Sequence, residues 1–233
     1  MKLMSTGNEE LDVKLQGGLP FPNLMLIEGP HGSSKTVVAQ QFLYGALKSG
    51  LRAMVFTTET TSSDYFRKMR TLNYDVRDYL IRDKLRIYSL QISEEGWGGI
   101  LERLILKKVS SFIEKNKNNF NFVLIDSLTH ILSPLGEEDV LGFFSHARML
   151  ASEEMMLVFT VHPGAMEEKI ATRGKALFDS YIRLSVATLG GRSVKVMEIV
   201  KLKGAPSTFD ATITFDVDPA FGLKLIPIAL ARS

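Results

Sequence analysis

Short apolar runs alternate along this chain with longer stretches of helical period. "LMLIE" (24–28) predicts a buried strand. Beyond it, Val37, Val38, Gln41, Phe42, Gly45 and Ala46 recur at helical spacing, and Gly50 predicts that helix's end. "RAMVFTTE" (52–59) predicts the next strand, and 62–72 a helix capped by Ser62 or Ser63. "LRIYSL" (85–90) predicts a strand. Residues 99–115 place Ile100, Leu101, Leu104, Ile105, Val109, Phe112 and Ile113 on one face of a long helix. "NFVLID" (121–126) predicts a strand, 137–151 a helix with Val140, Leu141, Phe144, Ala147 and Leu150 inward, and "MMLVFTVH" (155–162) a strand.

The order β-α-β-α-β-α-β predicts a mostly parallel central sheet with helices on both faces, in a single domain over 1–233. Past 179 the rhythm changes. Two strands flank Gly190-Gly191, and "TITFDVDPAFGLKLI" predicts a second hairpin, so antiparallel strands should extend the sheet.

Composition narrows the class only a little. Apolar residues make 45% of the 233 and charged residues 23%, as in an ordinary core-forming protein. A net charge of +2 offers no electrostatic case for nucleic acid. With no cysteine, disulfides and thiolate metal sites are excluded. The longest apolar runs fall far short of a bilayer span, and the polar "MKLMSTGNEELD" does not read as a signal peptide. The expectation is a cytoplasmic protein without direct membrane insertion.

The candidate chemistry lies in "GPHGSSKTV" (29–37). The phosphate-binding pattern is G-x-x-x-x-G-K-[ST], in which main-chain N–H groups and a helix N-terminus cradle phosphates. Gly29, Lys35 and Thr36 fit; Ser34 stands in place of the last glycine. Serine keeps its N–H, so binding should survive with a small shift in phosphate placement. The candidate ATP-binding residues are therefore Gly29, Pro30, His31, Gly32, Ser33, Ser34, Lys35, Thr36 and Val37. Thr36 and Asp126, the acid ending "NFVLID", are the candidate Mg2+ ligands.

Glu59, ending "VFTTE", is the candidate catalytic residue that orients water. Thr160 or His162, in "FTVHP", is placed to sense a γ-phosphate. The four histidines show no metal-ligand spacing. Lys201 and Lys203 flank Leu202 and, on a strand, share a face. They suit either a phosphate on another subunit or a solvated pair.

"STGNEELDVKLQGGLPFPNLMLIEG", "QQFLYGAL", "VLIDSL", "FDSYIRL" and "IVKLKG" together resemble, in order, KaiC-like members of the RecA/RadA superfamily. More narrowly, "HGSSKTVVAQQFLYG", "TTETT" and "LRIY" resemble the archaellum accessory ATP-binding proteins. The resemblance implies a RecA-like three-layer sandwich and a homo-oligomeric ring, a hexamer among its candidate forms. It implies that Lys201 and Lys203 reach a neighbour's nucleotide. Glu59-Thr60 stands where KaiC-type domains carry a glutamate pair; with Ser34, this predicts weak or absent ATP hydrolysis. The implied role is regulatory, at the cytoplasmic base of the archaeal motility motor. The implied partners are the motor ATPase and a membrane-anchored scaffold ring protein. The alternatives are a DNA-handling RecA/RadA relative and an autokinase acting on Ser207 or Thr208. "HPGAMEEKIATRGKALFD" mixes Glu167 and Glu168 with its cations, which argues against a DNA-binding loop.

Overall fold

The computed structural model describes residues 2–90, 99–189 and 191–227. Its elements in chain order are β1 (Lys2–Met4), α1 (Glu9–Lys14), β2 (Leu19–Phe21), β3 (Asn23–Glu28), α2 (Lys35–Lys48), β4 (Ala53–Thr57), α3 (Ser62–Thr71), α4 (Arg77–Ile81) and β5 (Leu85–Ser89). There follow α5 (Ile100–Asn116), β6 (Phe122–Asp126), α6 (Thr129–Leu132), α7 (Glu137–Ala151), β7 (Met156–Val161), α8 (Glu168–Leu177), β8 (Ser180–Leu189), β9 (Arg192–Leu202), β10 (Thr212–Asp218) and β11 (Gly222–Leu225).

One nine-stranded sheet runs β11-β10-β9-β8-β3-β7-β6-β4-β5. The pairs from β8 through β3, β7, β6 and β4 to β5 are parallel, and β8 to β11 pair antiparallel. Gly190, in the first hairpin turn, lies outside the described residues. Alternation along β3 divides the core in two: Met25 and Ile27 pack with α2 and α3, whereas Leu24 and Leu26 pack with α5, α6, α7 and α8. This is the expected three-layer sandwich.

The parallel register sets the site. Glu28 pairs with Val161, Thr57 with Asp126 and Ile125 with Phe159, so β3, β4, β6 and β7 all end at one edge. Ligands of open α/β sheets bind outside such carboxyl ends.

Several expectations need correction. The cap of α3 is Thr61, whose side chain accepts from Asp64 N, rather than Ser62 or Ser63. On α5 the buried positions are Glu102, Leu106, Val109 and Ile113; Ile100 and Leu104 are exposed. The helix is turned so that 102, 106, 109 and 113 form the inner stripe. The polar stretch after β7 is ordered as α8, with Ile170 and Gly174 facing the core. Lys203 lies one residue past the end of β9, so the two lysines do not both stand on a strand.

Candidate functional site

A buried strand, a turn and a helix build the loop. Gly29 follows β3 where a Cβ would lie 2.5 Å from Ser33 Oγ and 2.9 Å from Leu184 Cβ, so glycine is required for close packing. Pro30 O accepts from Ser33 N at 3.3 Å, Ser33 Oγ at 2.8 Å and Lys35 Nζ at 3.0 Å. That carbonyl ties the turn together. Ser34 adopts the left-handed conformation, φ 66°, ψ 33°. The backbone therefore keeps the shape glycine would give it, at a cost of about 1 kcal/mol to the serine. Among the described residues Ser34 makes no side-chain capping bond to α2. The first N–H groups of a helix have no partner within it, and here they open α2 directly after the turn.

Opposite charges meet at the start of this loop's helix. Lys35 is buried, and burial lowers its pKa, opposed by Glu59 and Asp126. Asp126 is 2% exposed, and burial pushes its carboxyl up to about 6, against hydrogen bonds from Thr160 and Thr36. Its Oδ1 accepts from Thr160 Oγ1 at 2.6 Å and Thr36 Oγ1 at 3.3 Å. The sequence pointed to Thr36 and Asp126 as partners; they are joined across 90 residues. A divalent cation at this corner fits the donor set, since it would relieve a carboxylate held against its solvation preference. Magnesium takes one or two carboxylates and completes its shell with phosphates and water. Among the described residues no three His, Asp or Glu side chains gather into a metal cage of their own.

Glu59 is exposed, two residues beyond β4. Its charge acts on Lys35, Asp126 and His162 alike, which puts it at the same corner. Thr58 holds that corner: its Oγ1 donates to Ser127 O at 2.8 Å and accepts from Ser127 N at 3.2 Å. Thr58 N also donates to Asp126 O at 3.1 Å.

The two γ-phosphate candidates separate. Thr160 is fully buried and spends its hydroxyl on Asp126, so it positions the carboxylate. His162 faces the loop: its ring centroid is 4.0 Å from that of His31. Burial lowers the pKa of His162, with Lys35 and His31 adding to the effect. Its Nδ1 lies 3.0 Å from Thr129 Oγ1, which also accepts from His162 N at 2.9 Å and from Ser127 Oγ at 3.0 Å. A polar chain thus runs from Ser127, beside Asp126, to the imidazole. Thr58, Ser127 and Thr129 were not singled out from sequence; the available signal was a Ser or Thr just past each strand's end.

Lys201 and Lys203 are elsewhere. Ser180 pairs with both Met25 and Leu202, which puts them at the opposite end of the sheet from Gly29. Lys201 Nζ donates to Phe178 O at 2.5 Å, and Lys203 Nζ lies 3.6 Å from Asp179 Oδ1. Neither joins its own chain's loop.

Comparison with known proteins gives the chain's family. The family described as "ATPase: KaiC" matches residues 4–228. The archaeal flagellar ATP-binding protein FlaH of Sulfolobus acidocaldarius is 41% identical over 231 residues, 99% of this chain and 100% of the relative. FlaH of Methanocaldococcus jannaschii is 25% identical over 224 residues, 93% of this chain and 92% of that one. The crystal structure of the accessory protein FlaH from M. jannaschii superposes with a TM-score of 0.84 at 22% identity, over 97% of this chain and 100% of that one.

Proposed function

The chain belongs to the KaiC-type ATPases and, among them, to the archaeal flagellar ATP-binding proteins, and on that premise we propose that it is a nucleotide-gated regulatory and assembly component of the archaeal motility motor. ATP binds at Gly29–Val37, its phosphates on the main-chain donors opening α2, with Lys35 supplying the positive charge. Thr36 and Asp126 hold Mg2+. The observation that carries the reading is Asp126: a desolvated carboxylate clamped between Thr36 of the loop and Thr160 of β7.

His162 is the residue we assign to the γ-phosphate, because its ring faces the loop while Thr160 is occupied. Glu59 is the water-orienting residue. The lone glutamate and the left-handed Ser34 favour slow or absent hydrolysis, with ATP acting as a signal. A ligand shifts a protein between states only through different affinity for them, and turnover is not required. Lys201 and Lys203, remote from their own loop, are assigned to a neighbouring subunit's nucleotide in a homo-oligomeric ring. The motor ATPase and a membrane-anchored scaffold protein are the proposed partners, reached from a peripheral cytoplasmic position. Among the described residues no helix is long and apolar enough to cross a membrane.

The test is mass measurement of the assembly with and without Mg-ATP, with phosphate release followed in the same sample. The expected result is a larger assembly with ATP and little phosphate. Glu59→Gln should leave ATP affinity within about twofold and lower residual phosphate release about a hundredfold. An assembly indifferent to ATP would remove the gating role.

A further inference from the structure

Glu28 ends β3 directly before Gly29. It is buried, 8% exposed, and by alternation follows Leu24 and Leu26 onto the face opposite α2. There Lys175 Nζ of α8 donates to Glu28 Oε1 at 3.0 Å and Oε2 at 2.8 Å. The Tyr181 hydroxyl donates to Oε2 as well, and its ring centroid lies 5.0 Å from Lys175 Nζ. Burial works against the Lys175 ammonium, but these hydrogen bonds hold its pKa above the ordinary value. Arg183 stands opposite Glu28 in the β3–β8 register and lies 3.2 Å from Glu198.

The local packing is arranged to bring Lys175 in. Its neighbour Gly174 faces Phe144, where a Cβ would lie 3.1 Å from Cε2, so glycine lets α8 sit close against α7. The segment leading into α8 starts at His162, whose ring lies tilted against that of His31. Residues 162–177 therefore hold the chain on both sides of Gly29, at Glu28 and at His31.

We propose that Lys175 is a positioning residue of the nucleotide site, cancelling the Glu28 charge at the root of the loop and tying α8 to it. This rests on the nucleotide-binding reading above. A bare carboxylate there opposes a triphosphate, and it opposes shorter phosphate chains less. The role therefore has a signature in the number of phosphates, which a general packing role does not.

The experiment measures ATP, ADP and AMP binding to the full chain by equilibrium titration. Lys175→Met should weaken ATP about tenfold, the size of one charge acting at protein distances, with ADP affected less and AMP least. Lys175→Arg should bind all three as the wild type does. The double variant Glu28→Gln/Lys175→Met, which removes both charges, should return ATP to within about twofold of wild type. Equal losses for the three nucleotides, or a double variant as weak as Lys175→Met, overturns the proposal. If Lys175→Met does not fold, Glu28→Gln alone decides: the ATP-to-AMP affinity ratio should rise, and an unchanged ratio overturns it. Wild-type protein that binds no ATP sinks the nucleotide reading itself. Wild-type binding with variants flat in phosphate number sinks only the role of Lys175.

Discussion

The two ends of the central sheet treat their charges in opposite ways. At the end away from the loop, Lys203 lies beside Asp179, Asp179 Oδ2 accepts from Leu24 N, and Lys201 takes the last carbonyls around α8. Those charges find partners within the chain and sit near water. At the loop end, Lys35 and Asp126 are both buried, and burial pushes each toward its neutral form. His162 is pushed the same way. Perturbed groups gathered in one corner mark functional sites more often than structural ones. One end leaves its charges partnered at little cost, while the other holds costly charges that a phosphate and a cation would relieve.

The difference can be broken, starting with the largest effect. Lys35→Ala should weaken ATP binding by about a hundredfold, since a charge-assisted phosphate contact is lost. Unchanged affinity in a titration would take the loop out of the account.

Next comes Asp126→Asn. The folded pKa of Asp126, about 6, lies above that of an unfolded aspartate. Its contribution to stability is therefore fully present below about pH 4 and lost as pH rises through about 6. At pH 7.5 the ligand-free protein bears a cost on the order of 2 kcal/mol, which asparagine removes. The variant should melt several degrees higher without ligand and lose the Mg2+ dependence of ATP binding. A lower melting temperature at pH 7.5 would mean the carboxylate is not strained. Ser34→Gly should relieve about 1 kcal/mol of left-handed strain and raise thermal stability slightly; a loss of stability would show that the serine hydroxyl holds the turn. Smallest of all, Lys203→Ala removes a long pair whose lysine is exposed and should change stability by less than about 1 kcal/mol. A larger drop would make the far end structural in its own right.

Much of this contrast was legible in the residues. The parallel strands announced themselves as apolar runs, and the loop by the spacing of Gly29, Lys35 and Thr36. Asp126 was found because an apolar strand ended in a single acid. What stayed hidden depends on long-range packing. Glu28 and Lys175 are 147 residues apart, and His31 and His162 lie in the loops after two different strands. α8 was missed because its inner stripe is short, with only Ile170 and Gly174 buried. The outward turn of Ile100 and Leu104 was missed for a related reason. A helical period says which residues share a stripe, but the packing of α6 and α7 decides which stripe is buried.

The central claim is that the main-chain amides opening α2 hold a triphosphate even with serine in the glycine position. A crystal structure of the chain grown with Mg2+ and a non-hydrolysable ATP analogue tests this most directly. The account predicts the β- and γ-phosphates against residues 32–36, with the metal between Thr36 and Asp126. Nucleotide bound elsewhere on the chain, with Lys35 still donating to Pro30 O, would contradict it.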